Sequence, residues 1–195
     1  MSENIVVAIP DSSPAPHIHR YYRGLKERTF YITDEIDANT VEDVGLELIR
    51  ADQTGDKLIT IYLNTPGGCV FSGFNLCNII ENLKSPVEIV VLGYAYSMGG
   101  YILMSGYNKK NIIRKCYPFS TALMHGGSAA VEGTASQVKD FHRFAEKYDQ
   151  KIKDFFLSHS NFTEEEYDKI ERTELYLTAE EMLEKGLVDE IIGVE

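Results

Sequence analysis

The chain is poor in the features that mark several large protein classes. Only three of its 195 residues are cysteine, and Cys69, Cys77 and Cys116 sit inside apolar segments rather than at paired metal-ligand spacings. That odd, unpaired set excludes a disulfide framework and a cysteine-built zinc site, and marks the three as reduced core residues. No window approaches the ~20 apolar residues that a membrane-spanning helix needs. The start, Met1-Ser-Glu-Asn4, lacks the basic and apolar regions of a secretory leader, so a soluble, cytoplasmic protein is expected, with no membrane partner. Positive charge is also scarce, since 19 Lys and Arg against 30 Asp and Glu leave a formal net charge of -11. Such a balance repels a phosphate backbone, and no Lys/Arg stripe gathers counterion-release energy, which excludes nucleic acid as a ligand. Low-complexity tracts and internal repeats are absent as well.

What remains is the composition of an ordinary folded protein, 44% hydrophobic and 25% charged, at a length that fits one domain. Residues 1–19 carry Pro10, Pro14 and Pro16 with Ser12 and Ser13 between them, and read as an extended N-terminal arm. His17-Ile-His19 has a spacing that can bind metal, but no cysteine or carboxylate cluster stands beside it, so it belongs to the arm and no metal site is expected. Residues 20–195 then form a single domain in which apolar strands alternate with helices. Strands are expected over 28–33, 58–63, 87–92, 121–124 and 187–192. Helices are expected from Thr40 and over about 72–83, 97–105, 163–172 and 179–185. Uniformly apolar strands alternating with helices imply an α/β fold with a largely parallel sheet covered on both faces.

From Thr134 the period changes. Val138, Phe141, Ala145, Tyr148, Ile152 and Phe155 recur at intervals of three and four, which predicts one long helix over about 134–158. A helix of ~23 residues extends ~35 Å, longer than a small domain needs for its own core, so of the two surfaces its apolar seam could meet, its own subunit or the same seam on another, the second is expected.

Three segments can carry chemistry, each where a strand ends. In Asn64-Thr-Pro-Gly-Gly68 the proline sets a turn and the two glycines can turn amide hydrogens toward an anion, although most such runs only reverse the chain. In Gly93-Tyr-Ala-Tyr-Ser97-Met-Gly-Gly100 a serine lies at a strand-to-helix junction among small residues, the layout of a nucleophile elbow. The commonest role of a serine there is to cap the helix. In Met124-His-Gly-Gly127 a histidine closes an apolar strand, and with an ordinary pKa of ~6.5 it suits a general base at neutral pH. The three together supply nucleophile, base and oxyanion donors, which none does alone.

In this order and spacing, followed by the long helix and by Leu177-Thr-Ala-Glu-Glu181 with Gly186-Leu-Val-Asp189, the motifs closely resemble the proteolytic subunits of the Clp protease, ClpP. The resemblance runs from about Tyr22 to Ile192. It implies a crotonase-like head of repeated ββα units with a long projecting "handle" helix, and a serine endopeptidase acting on unfolded polypeptides and short peptides. Ser97 is then the nucleophile, His125 the base, and the amides of Gly68 and Met98 the oxyanion hole. Gly126 and Gly127 begin the segment beside an extended substrate. The position of the third triad residue falls on Glu174, where the family usually has aspartate; Asp168 is a second candidate, and an unengaged Glu174 is a third reading. The resemblance further implies two stacked seven-membered rings and an AAA+ unfoldase that uses ATP, with no cofactor in this chain. Competing readings are a crotonase-type acyl-CoA enzyme, a related Ser–Lys peptidase, and a silent ring subunit. Ser97-Met-Gly and Met124-His argue against the first, the short single domain against the second, and the presence of both Ser97 and His125 against the third.

Overall fold

The computed structural model describes residues 24–194. The N-terminal arm, with His17 and His19, lies outside the described residues. Strand β1 (Thr29–Ile32) leads into α1 (Ala38–Thr40), a π-helical turn (Val41–Gly45) and α2 (Leu46–Thr54). The helix begins earlier than Thr40, because Asp37 and Thr40 cap each other. The Asp37 carboxylate accepts the Thr40 amide at 2.9 Å, and the Thr40 hydroxyl accepts the Asp37 amide at 3.1 Å. Then follow β2 (Ile59–Thr65), α3 (Val70–Glu81), β3 (Val87–Tyr96), α4 (Met98–Met104), β4 (Ile112–Cys116) and β5 (Thr121–His125). The chain closes with α5 (Ala135–Ser158), α6 (Glu164–Ile170), β6 (Glu174–Leu177), α7 (Ala179–Glu184) and β7 (Glu190–Ile191).

The strands form a seven-stranded sheet in the order β1-β2-β3-β4-β7, with β5 joined to β3 and β6 to β5. Every pairing is parallel except β5 with β6. Strand β3 serves two neighbours on one side. Val87–Val91 pair with β4, and Tyr94–Tyr96 pair with β5. The change of partner coincides with a bulge against β2, where Leu63 pairs with Val91 but Thr65 pairs with Ala95. Asn64 fills that gap, its side-chain oxygen accepting the Tyr94 amide at 3.2 Å.

Burial corrects the expectation of a sheet covered on both faces. Ile59, Ile61 and Leu63 are fully buried in the strand that packs against α4, while the alternate residues Thr60, Tyr62 and Asn64 are half-buried. On the outer face Tyr31 is 50% exposed and Leu92 41%. The sequence reading also missed β4, because Arg114 and Lys115 interrupt its apolar run. Arg114 is nevertheless fully buried. Its Nε donates to Asp189 at 3.0 Å, its Nη2 to the same carboxylate at 2.5 Å, and its Nη1 to the Gly186 carbonyl at 2.7 Å. The guanidinium thereby ties β4 to the Gly186-Leu-Val-Asp189 turn. β6 was missed too, since an antiparallel partner interrupts the strand–helix alternation.

The long helix spans Ala135–Ser158 and is opened by a Thr134–Gln137 capping box. Its only buried residue is Phe156. The expectation that the seam meets another subunit needs correction over its C-terminal part. The Tyr148 ring lies 5.1 Å from Phe71 and 6.2 Å from Phe74, and Phe155 lies 5.3 Å from Phe74, all within this chain. These rings prefer tilted and edge-on contacts, which the aromatic quadrupole favours.

Candidate active site

Ser97 sits between the end of β3 and the first residue of α4, with φ 53° and ψ -119°. Non-glycine residues rarely hold such a backbone, and a strained residue at a site of this kind marks a constraint imposed by its surroundings. Two bonds impose it. The Ser97 amide donates to the Leu123 carbonyl of β5 at 2.7 Å, and its carbonyl accepts the Gly100 amide at 3.0 Å. The hydroxyl makes no capping bond to α4, so the commonest role of a serine at this position is not the one it plays. Instead Oγ lies 2.9 Å from Nε2 of His125, which closes β5.

The Pro-Gly-Gly turn passes directly beside this elbow. A Cβ on Gly67, whose φ is +96°, would stand 2.6 Å from the Tyr96 carbonyl and 2.7 Å from Cβ of Ser97. Glycine is required there by both backbone and space. The turn is pinned by Thr65, fully buried, whose hydroxyl donates to the Asp34 carbonyl at 2.6 Å and accepts the Gly67 amide at 3.1 Å. Beyond it Gly68 forms a parallel bridge with Ile36. The Ile36 amide donates to the Gly67 carbonyl at 2.8 Å, and the Ile36 carbonyl accepts the Cys69 amide at 2.7 Å. In a parallel bridge the middle residue's own amide points away from the partner strand, so the N–H of Gly68 is left directed elsewhere. The Met98 amide is likewise without an acceptor inside α4, being in its first turn.

Gly68, Ser97, Met98, His125 and Gly127 line one cavity of about 570 Å³ whose far wall is Phe71, Phe74, Phe144 and Tyr148. The cavity thus joins the Ser97–His125 contact, and two amides without an acceptor among the described residues, to an apolar, aromatic compartment. Cys69 faces it as well. The Ser72 amide and hydroxyl beside its sulfur hold the thiol below its ordinary range against the opposing effect of burial. Of the two glycines after His125, Gly127 has open space around its Cα, whereas a Cβ on Gly126 would meet the Glu171 carbonyl at 2.5 Å. Gly126 therefore fits a close approach within its own chain.

Glu174 is brought to the site but not onto the imidazole. It stands directly opposite His125 in the antiparallel β5–β6 pair, where its carboxylate accepts the Tyr176 hydroxyl at 3.1 Å. The first of the three expectations for this position, a carboxylate engaged with the ring, differs from the side-chain arrangement seen. Asp168 is taken up elsewhere, bonded to Lys153 of α5 at 2.8 Å. Sequence reasoning missed Tyr176 and the aromatic wall. Phe71 and Phe74 lie within a helix whose pattern reads as core, and only the return of α5 across α3 turns their rings into a cavity lining.

A strained serine at the end of an inner strand, in contact with a strand-terminal histidine and beside amides that have no acceptor among the described residues, defines a hydrolytic site on a mixed α/β fold. The family model described as Clp protease matches residues 14–195. The chain therefore belongs to the Clp protease family and is a proteolytic subunit of the Clp type. It is 27% identical over 173 residues to the ATP-dependent Clp protease proteolytic subunit of Deinococcus radiodurans, a match covering 88% of this chain and 83% of that protein. Among the described residues no helix is long and apolar enough to cross a membrane.

Proposed function

We propose that this protease is of the serine type, an endopeptidase in which Ser97 is the nucleophile and His125 its general base. The observation that carries the reading is the 2.9 Å contact between Ser97 Oγ and His125 Nε2. With the ring proton on Nδ1, Nε2 takes the hydroxyl proton as Oγ attacks a peptide carbonyl carbon. The carbonyl electron pair moves to oxygen, where the amides of Gly68 and Met98 receive it. Losing one such donor typically costs ~10²–10³ in rate. The imidazolium then returns its proton to the departing amine as the C–N bond breaks. Water, activated by the same nitrogen, attacks the ester carbonyl, and the proton goes back to Ser97 as the acid is released. Glu174 completes the proposed triad by accepting the Nδ1 hydrogen, which stabilises the imidazolium.

The natural substrates in this reading are unfolded polypeptides and short peptides, with Gly126 and Gly127 at the start of the segment alongside them. The aromatic wall favours an apolar side chain next to the scissile bond. Subunits of this chain stack as two seven-membered rings around a chamber, fed by an AAA+ unfoldase that spends the ATP. Support for assembly comes from the apolar groups left at the surface around the handle, Phe144 at 48% exposure and Phe71 at 56%.

The test is a fluorophosphonate probe followed by intact mass. One adduct per chain, lost in Ser97→Ala and in His125→Ala, is the expected result. An assembled protein that takes no probe overturns the serine-type reading. Sedimentation at micromolar concentration examines the assembly separately, and a monomer there overturns the compartment.

A further inference from the structure

The exposed side of the β5–β6 ribbon holds an arrangement that the proposed triad does not use. Side chains on β5 alternate, so that Ala122 and Met124 are buried while Leu123 and His125 are half-buried on the other face. Directly opposite on β6, Glu174 pairs with His125 and Tyr176 with Leu123. All four therefore share one face, and side chains opposed in this way have their Cβ atoms about 4.5–5.5 Å apart. Glu174 thus stands in the cross-strand position that faces the His125 ring. It points along its strand instead, to the Tyr176 hydroxyl at 3.1 Å. The Tyr176 ring is in turn held edge-on against Tyr96, at 6.1 Å between centroids. Tyr96 is the residue before Ser97, and its hydroxyl is bonded to Thr121 at 3.1 Å. Among the described residues His125 has no carboxylate in ion-pair contact.

We infer that Tyr176 is a positioning residue that detains Glu174: its hydroxyl competes with Nδ1 of His125 for the one carboxylate, and the site gains its third member when that bond opens. The inference rests on the reading of Glu174 as the orienting acid. A tyrosine hydroxyl and an imidazole N–H are comparable donors to a carboxylate in water, so the two arrangements lie close in free energy. Whatever moves Tyr176 off Glu174, such as a peptide strand laid along this face or a neighbouring subunit displacing the ring, sets the dyad as a triad. The chemistry of that displacement is steric and apolar, because the Tyr176 ring packs on the Tyr96 ring there.

The experiment compares full-length, assembled wild-type protein with Tyr176→Phe, Glu174→Gln and the double variant. The second-order rate of fluorophosphonate labelling and the pH profile of kcat/KM on a short fluorogenic peptide are read for each. Tyr176→Phe keeps the ring and removes the hydroxyl, and is expected to label faster by about three- to tenfold, the scale of one exposed hydrogen bond to a charged group. The acidic limb of its profile moves to higher pH, since a carboxylate on Nδ1 favours the protonated ring and raises the pH needed to free the base. Both changes vanish in the double variant. A Tyr176→Phe variant that labels no faster than wild type, while Glu174→Gln labels more slowly, overturns the detaining role and leaves Glu174 as the acid. Glu174→Gln without effect in either background overturns both.

Discussion

Replacing Ser97 by glycine should leave a more stable protein than replacing it by alanine. Ser97 holds φ 53° and ψ -119°, a backbone that costs a side-chain-bearing residue about 1–3 kcal/mol and glycine almost nothing. Both substitutions remove the same hydroxyl and the same 2.9 Å contact with His125, so that loss cancels between them. Glycine surrenders more backbone entropy on folding, about 0.5–1 kcal/mol. The balance favours Ser97→Gly over Ser97→Ala by about 0.5–2 kcal/mol. For a domain of this size that is roughly 2–4 °C in Tm for each kcal/mol. Thermal and urea unfolding of the two variants, at one protomer concentration because assembly adds concentration-dependent stability, give the comparison directly. An alanine variant as stable as the glycine variant would mean that the elbow stores no strain, and that the Leu123 and Gly100 bonds merely accompany a relaxed turn.

Other perturbations reach the same site from different directions. Gly67→Ala places a methyl 2.6 Å from the Tyr96 carbonyl at a φ of +96°. It should cost about 2–4 kcal/mol in urea unfolding. It should also slow probe labelling on the order of 10²-fold by displacing Ser97, and wild-type labelling would show that the turn does not brace the elbow. Asp189→Ala leaves the buried Arg114 guanidinium without its carboxylate and should destabilise by about 3–5 kcal/mol, much of it recovered by adding Arg114→Met. If the double variant is no better than the single, the damage is one of packing. Iodoacetamide should modify Cys69 first, because burial pushes the Cys77 thiol up to about 12 and that of Cys116 up to about 11. Peptide mapping after brief exposure reads the order, and early labelling of either buried thiol would contradict it.

Much of the site was legible along the chain because its parts are local. A serine among small residues at a strand-to-helix junction, a histidine closing an apolar strand and a Pro-Gly-Gly turn each announce themselves within a few residues, since backbone geometry there depends on near neighbours. The strand and helix order before α5 was legible for the same reason, apart from β4. That strand was hidden because Arg114 is read as a surface residue until Asp189, 75 positions away, is seen to neutralise it.

Side-chain partnership at longer range was not legible. The residues around Ser97 alone did not tell whether it would cap α4 or meet His125, and only the resemblance carried by all the motifs together favoured the second. The 2.7 Å bond from its amide to Leu123 turns the elbow, and that bond exists only once β3 exchanges β4 for β5 as its neighbour. Glu174 could be counted into place, yet its rotamer depends on Tyr176 two residues on, and Tyr176 on a ring of β3. Likewise the spacing of Val138 to Phe155 foretold an apolar seam, but a period cannot name the surface it meets. The sequence determined which groups could react, through local backbone chemistry. The tertiary structure decided which of them touch, because contacts between distant segments follow from sheet order and from the path of α5 over α3.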